Sequence, residues 1–143
     1  SLAHKRKALR EADKVVLDGE PVTVDAQVAG SDIQTAFLQA LDLARLPRTS
    51  LHALYQGWLD TAEALQAATL TGAFTLPDSA ERAQQRRSAL QATVALQGKI
   101  AELRRAAAKA SQLARQVELN LEIQRLQAEL AAVRTQLLPR MLA

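Results

Sequence analysis

From Asp78 to Leu138 the chain has no proline, and its only glycine is Gly98. Proline removes a helix hydrogen bond and glycine adds backbone entropy, so a run without either favours one long α-helix. Asp78 offers an N-cap oxygen and Glu81 follows three residues later, a capping box with Asp in the usual Ser or Thr place. An unbroken helix of this kind would extend roughly 90 Å. The elements before it are too short to bury it. It must fold back as a hairpin, pair with another chain, or stand partly exposed. No Gly, Pro or Asn supports a turn between 104 and 111, so the expectation is a continuous helix, with a turn there as the alternative.

The apolar pattern of this run has two phases. Leu96, Ile100, Leu103, Ala107, Ala110, Ala114, Val117 and Leu121 form one seam, and Ile123, Leu126, Leu130, Val133 and Leu137 form another in steps of three and four. The second seam also takes in Leu119, two residues out of phase with Leu121. Such a shift means a local change of supercoil or two apolar faces for two neighbours. The small residues from Ala106 to Ala114 permit close helix approach. Asn120 sits at the change of phase, where a polar residue can set register or bond to a neighbouring backbone. The helix–helix interface expected from this pattern comprises Val117, Leu119, Asn120, Ile123, Leu126, Leu130, Val133 and Leu137.

The first 77 residues have a different grammar. Residues 2–7, 15–17 and 22–24 have strand character, with Asp18-Gly19-Glu20-Pro21 as a turn signal. Two or three short strands are marginal alone. The sheet is therefore expected to be completed by residues missing N-terminally or by a partner. Gly30-Ser31-Asp32 offers cap oxygens to a helix carrying Ile33, Phe37, Ala40, Leu41 and Ala44, which stops before Pro47. Ser50 caps a second helix with the face Leu51, Leu54, Tyr55, Trp58, Leu59, Ala62 and Leu65, ending near Gly72. Its aromatic stripe is read as core rather than ligand site. Gly57 costs about 1 kcal/mol against Ala in a helix, a cost that a closely packed neighbour would explain. Phe74-Thr75-Leu76-Pro77 is expected to be a short linker.

The fold expected is thus α+β and predominantly helical. A short β-hairpin or sheet remnant and two amphipathic helices form a body over 1–77, and a long helix with coiled-coil-like seams occupies 78–143.

Charge is uneven. The net formal charge is +3, yet between Arg82 and Arg115 eight cations face one anion, Glu102. Arg82, Arg86, Arg87, Arg104, Arg105, Lys109 and Arg115 are therefore candidates for contact with nucleic acid or an acidic partner, through counterion release in the former case. No aromatic is interleaved for base stacking and no base-reading motif surrounds them. A solvated face is the plain alternative.

Conventional chemistry finds little support. The chain has no cysteine, which excludes disulfides and thiolate metal sites and suits a reducing cytoplasm. His4 falls in a strand and His52 at the start of a helix, without ligand-like spacing. Glu118 and Glu122 share a helix face, where pairing with Arg115 and Arg125 accounts for them better than metal or acid–base work. No phosphate-binding glycine loop or nucleophile pair is present. No catalytic residue, metal or cofactor is expected, nor a small-molecule substrate. No run of about 18 apolar residues predicts a membrane span.

The string Arg115-Gln116-Val117-Glu118-Leu119-Asn120-Leu121-Glu122-Ile123, with Leu126 and Glu129-Leu130, resembles the C-terminal signature of an uncharacterised bacterial family, the domain of unknown function forty-three ninety-one. The opening Leu2-Ala3-His4-Lys5-Arg6 and Leu51-x-x-Leu54-Tyr55 are similar to that family's central region. The resemblance covers this whole chain and the C-terminal part of a full member. Members often carry a charged, Phe-containing segment before the Val-Glu-Leu-Asn core, where this chain has Ala-Lys-Ala-Ser-Gln-Leu-Ala. The resemblance implies neighbours encoding helicases and DNA methyltransferases in restriction-like, phage-defence clusters. It implies an accessory subunit and assigns no catalytic residue. The expected function is a non-catalytic interaction or scaffolding subunit that meets a protein partner or its own copy through the long helix. Direct, non-specific nucleic-acid binding, with DNA as the possible ligand, is the alternative.

Overall fold

The computed structural model describes residues 2–10, 14–25, 27 and 30–138, with only the backbone for residues 2–21. Its elements are β1 (Leu2–Arg10), β2 (Lys14–Val24), α1 (Ser31–Ala40), α2 (Leu51–Thr71), α3 (Ala80–Lys109) and α4 (Leu113–Leu137). The chain is predominantly helical with a small β part. It divides into two compact units, Ser1–Ala83 and Gln84–Ala143, with the division falling inside α3.

In the first unit β1 and β2 pair antiparallel. The expected turn at Asp18-Gly19-Glu20-Pro21 is not a turn. Leu2, Ala3 and His4 pair with Val24, Thr23 and Val22, whereas Arg6 already pairs with Asp18. Gly19, Glu20 and Pro21 therefore bulge from β2 opposite Lys5. Proline has no N–H for a ladder, and a bulge is where a strand tolerates it. The two separate strands expected at 15–17 and 22–24 are one strand across this bulge.

α1 starts with Gly30 as N-cap, and neither Ser31 nor Asp32 supplies a capping side chain. It also ends earlier than Pro47 requires. The Asp42 carboxylate accepts from the Ala44 amide at 2.9 Å, a local turn that competes with further helix. α2 matches its sequence signals closely. Ser50 Oγ accepts from the Ala53 amide at 3.0 Å, and Gly72 ends the helix at φ 79°, a conformation that favours glycine.

The first core gathers Val24, Phe37, Ala62 and Leu65, with Val22, Ile33, Leu41 and Phe74 against it. Phe74, expected in a linker, meets Phe37 edge to face with ring centroids 6.3 Å apart. Burying side chains of this size stabilises by about 1.5–3 kcal/mol each. The Gln66 amide donates to the Thr23 carbonyl at 2.8 Å and ties α2 to the hairpin. The α2 face is only partly core: Leu59, Ala62 and Leu65 are buried, while Leu51 is 86 % exposed and Trp58 37 %. Gly57 has a clear role, because a Cβ there would lie 3.0 Å from Pro47 Cδ and 3.1 Å from Leu46 Cδ2.

The second unit corrects the continuous helix. α3 stops at Lys109 and α4 begins at Leu113. Leu96 and Ile100 of α3 pack with Ile123 and Leu126 of α4, and Leu103, Leu130 and Val133 join them. The long run is therefore a helical hairpin. The turn needs no glycine because a side chain serves it: Gln116 Nε2 donates to the Ala110 carbonyl at 2.6 Å. That carbonyl would otherwise be left without a helical partner at the end of α3. The start of α3 also differs. Ser79, not Asp78, is the cap, with its Oγ accepting from the Arg82 amide at 3.2 Å. Asp78 instead pairs with the Arg82 guanidinium at 3.2 Å.

Candidate interaction surfaces

The two heptad seams of α4 are offset by two residues, which places them about 160° apart around the helix. The first comprises Leu119, Ile123, Leu126, Leu130, Val133 and Leu137. Leu119, Ile123, Leu126 and Leu137 are buried, at 5–8 % exposure, and Leu130 and Val133 are half-buried. Four of these residues fill the groove against α3.

The second seam runs through Ala114, Val117, Leu121, Gln124, Ala128 and Ala131, again in steps of three and four. All six residues are exposed, Val117 at 50 % and Leu121 at 61 %. Leu113 beside them is 75 % exposed. Val117 thus belongs to a different face from the other apolar residues with which it was grouped. Asn120 is exposed as well, so it does not fix register inside the hairpin. The cause is the turn at 110–112. Leu96, Ile100 and Leu103 of the earlier seam point into the hairpin, but the fold-back carries its continuation, Val117 and Leu121, onto the outer side.

Charge flanks the outer seam. Glu118 pairs with Arg115 at 3.0 Å and Glu122 with Arg125 at 2.6 Å. These four side chains are 42–73 % exposed, so each pair contributes little to stability. They also account for both carboxylates that shared a helix face in the sequence.

The structure sorts the basic candidates into groups. Arg82 is held by Asp78, and Arg115 by Glu118. Arg86 and Arg87 are half-buried and engaged in polar interactions, Arg87 with the Gln84 side-chain carbonyl among them. Arg104, Arg105 and Lys109 are exposed near the hairpin turn and make no ion pair among the described residues. The seven cations therefore differ in exposure and in pairing.

Two features escaped sequence reasoning. Glu63 lies in α2 at 2 % exposure and makes polar interactions of its own. Its neighbours in sequence, Ala62, Ala64 and Leu65, are equally buried, and the signal in the sequence is that all three are apolar. The other is an open cleft of about 450 Å³ in the first unit, lined by residues including Leu46, Pro47, Gly57 and Phe74. Its charged groups are Arg45 and Asp60, of opposite sign. His52 is exposed on α2, and the His4 side chain lies outside the described residues. Among the described residues no helix is long and apolar enough to cross a membrane.

A family model described as "Domain of unknown function (DUF4391)" matches residues 1–130. No curated protein and no solved structure matches the chain.

Proposed function

The chain belongs to the family of this domain of unknown function, and from that premise we propose that it is a non-catalytic interaction subunit whose docking surface is the outer seam of α4. The observation that carries the reading is the exposure of Val117 and Leu121 on a heptad-spaced strip with no charged residue in it. Exposing medium and large apolar side chains at regular spacing forgoes burial energy, and a helix-in-groove or helix–helix contact recovers it. The inner seam shows that the same spacing on the same helix accepts a partner helix. The partner class is a protein of a bacterial restriction-like, phage-defence complex, a helicase or a DNA methyltransferase, and a cytoplasmic location goes with that setting. Co-expression with such neighbour-encoded proteins tests it. Co-purification is expected, and Leu121→Asp is expected to abolish it while leaving the circular dichroism spectrum unchanged. Co-purification that is absent, or indifferent to Leu121→Asp, rejects the reading.

One observation favours a second activity, binding of nucleic acid at the hairpin turn. Arg104, Arg105 and Lys109 are exposed and keep their charge uncompensated by any ion pair among the described residues. Contacts of this kind are phosphate contacts, without base readout. Affinity for a DNA duplex should fall steeply with salt, and Arg104→Glu/Arg105→Glu should reduce it at low salt. No binding at low salt removes this activity.

A further inference from the structure

We infer that the outer seam of α4 pairs antiparallel, about a two-fold axis, with the same seam of a second copy. This rests on the reading of that seam as a docking surface and puts a second copy there in place of a helicase or methyltransferase. The support is the self-complementarity of its pattern. In a two-fold antiparallel pair, each residue and its opposite number exchange roles between the copies. With the axis beside residues 122 and 123, Val117 stands opposite Ala128, Ala114 opposite Ala131, and Leu121 opposite Gln124. Two of these layers place a small residue across from its neighbour, which lets the backbones approach closely. Gln124 is the single long polar residue of the seam, and the layer it shares with Leu121 forms twice about the axis at some cost in stability.

Charge selects the same register. On one flank Glu118 of each copy comes beside Arg125 of the other. Each of these is already half of an exposed local pair, Arg115–Glu118 at 3.0 Å and Glu122–Arg125 at 2.6 Å. The pairing therefore joins them into a row of alternating sign, Arg115, Glu118, Arg125, Glu122, formed twice across the axis. On the other flank Asn120 comes beside Gln127, two exposed amides that can each donate and accept. A parallel, in-register pair would instead set Glu118 beside Leu113 and Arg125 beside Asn120, with no opposite charges meeting. The antiparallel two-fold arrangement satisfies both flanks.

The absence of cysteine from the chain supplies a clean test. Val117→Cys and Ala128→Cys chains, prepared separately, are oxidised alone and as a mixture. In the inferred pair, position 117 lies about 16 Å along the axis from its own copy but opposite 128. A disulfide is therefore expected in the mixture only, since the bond needs Cα atoms within about 7 Å. Each variant cross-linking with itself would overturn the antiparallel pairing. Sedimentation of the full chain across the micromolar range is expected to show a monomer–dimer equilibrium. Glu118→Arg should weaken it about tenfold, and adding Arg125→Glu to the same chain should restore it. A wild-type chain that stays monomeric throughout overturns the inference. If that chain still binds a helicase or methyltransferase through Leu121, self-pairing falls and the proposed function stands. If the dimer forms but no such partner binds, the proposed partner class falls and the docking role stands, filled by a second copy.

Discussion

α4 carries two seams with the same spacing and opposite fates. The inner one, from Leu119 to Leu137, is largely buried and packs against α3 through Ile123, Leu126, Leu130 and Val133, and the outer one, through Val117 and Leu121, meets solvent. The inner seam is built from Leu, Ile and Val, and the outer one combines Val117 and Leu121 with alanines and Gln124. A seam of large β-branched and γ-branched residues recovers the most energy when it is buried within one chain. A mixed, smaller seam can remain exposed in a folded subunit and still serve a second association. Heptad spacing marks a surface for contact, and side-chain volume ranks which surface is buried first.

The largest test of this difference is truncation on the inner seam. Leu126→Ala should cost roughly 2–4 kcal/mol in urea unfolding, because it leaves a cavity between α3 and α4. Leu121→Ala on the outer seam should change the same measurement by less than about 0.5 kcal/mol, provided the concentration is low enough to keep the chain monomeric. Equal losses at the two positions would erase the distinction.

A smaller effect is expected at the turn that separates the seams. Gln116→Ala removes the donor to the Ala110 carbonyl, and a loss of about 1 kcal/mol is expected. Hydrogen exchange should then speed up around residues 107–116 before it does in the seam itself. A uniform acceleration along the hairpin would mean that the cap does not act locally. Ser50→Ala supplies the matching test in the first unit, where losing the bond to the Ala53 amide should also cost about 1 kcal/mol. The smallest effect belongs to the flanking charges. Arg115→Gln should alter the stability of the monomer by no more than about 0.5 kcal/mol, an outcome read from denaturation at low and high salt.

Local signals in the sequence carried much of the fold. Ser50 and Gly72 bracket α2 as their chemistry dictates, since a hydroxyl cap and a left-handed glycine act on their own segment. Gly57 pointed to a close neighbour, and Leu46 with Pro47 is that neighbour. Signals that depended on a partner were read less well. Asp18-Gly19-Glu20-Pro21 has the composition of a turn, but pairing with β1 on both sides turns it into a bulge. Asp78 and Ser79 are both capable caps, and one residue of difference in helix start decided between them. The basic candidates are continuous along the chain, whereas local acids and burial leave Arg104, Arg105 and Lys109 as the exposed group without ion pairs among the described residues.

The sequence by itself determined that the C-terminal half is helical and that it bears two apolar phases, because both follow from residue types and their spacing along one helix. Only the tertiary structure decided where that half folds back and which phase is covered. The break at 110–112 depends on a contact six residues long in sequence, from Gln116 to Ala110, and on burial of the Leu and Ile seam against α3. Neither helix propensity nor heptad spacing encodes that choice. It comes from comparing the burial energy of the hairpin with that of a straight helix, and the comparison exists only once both arms are placed side by side.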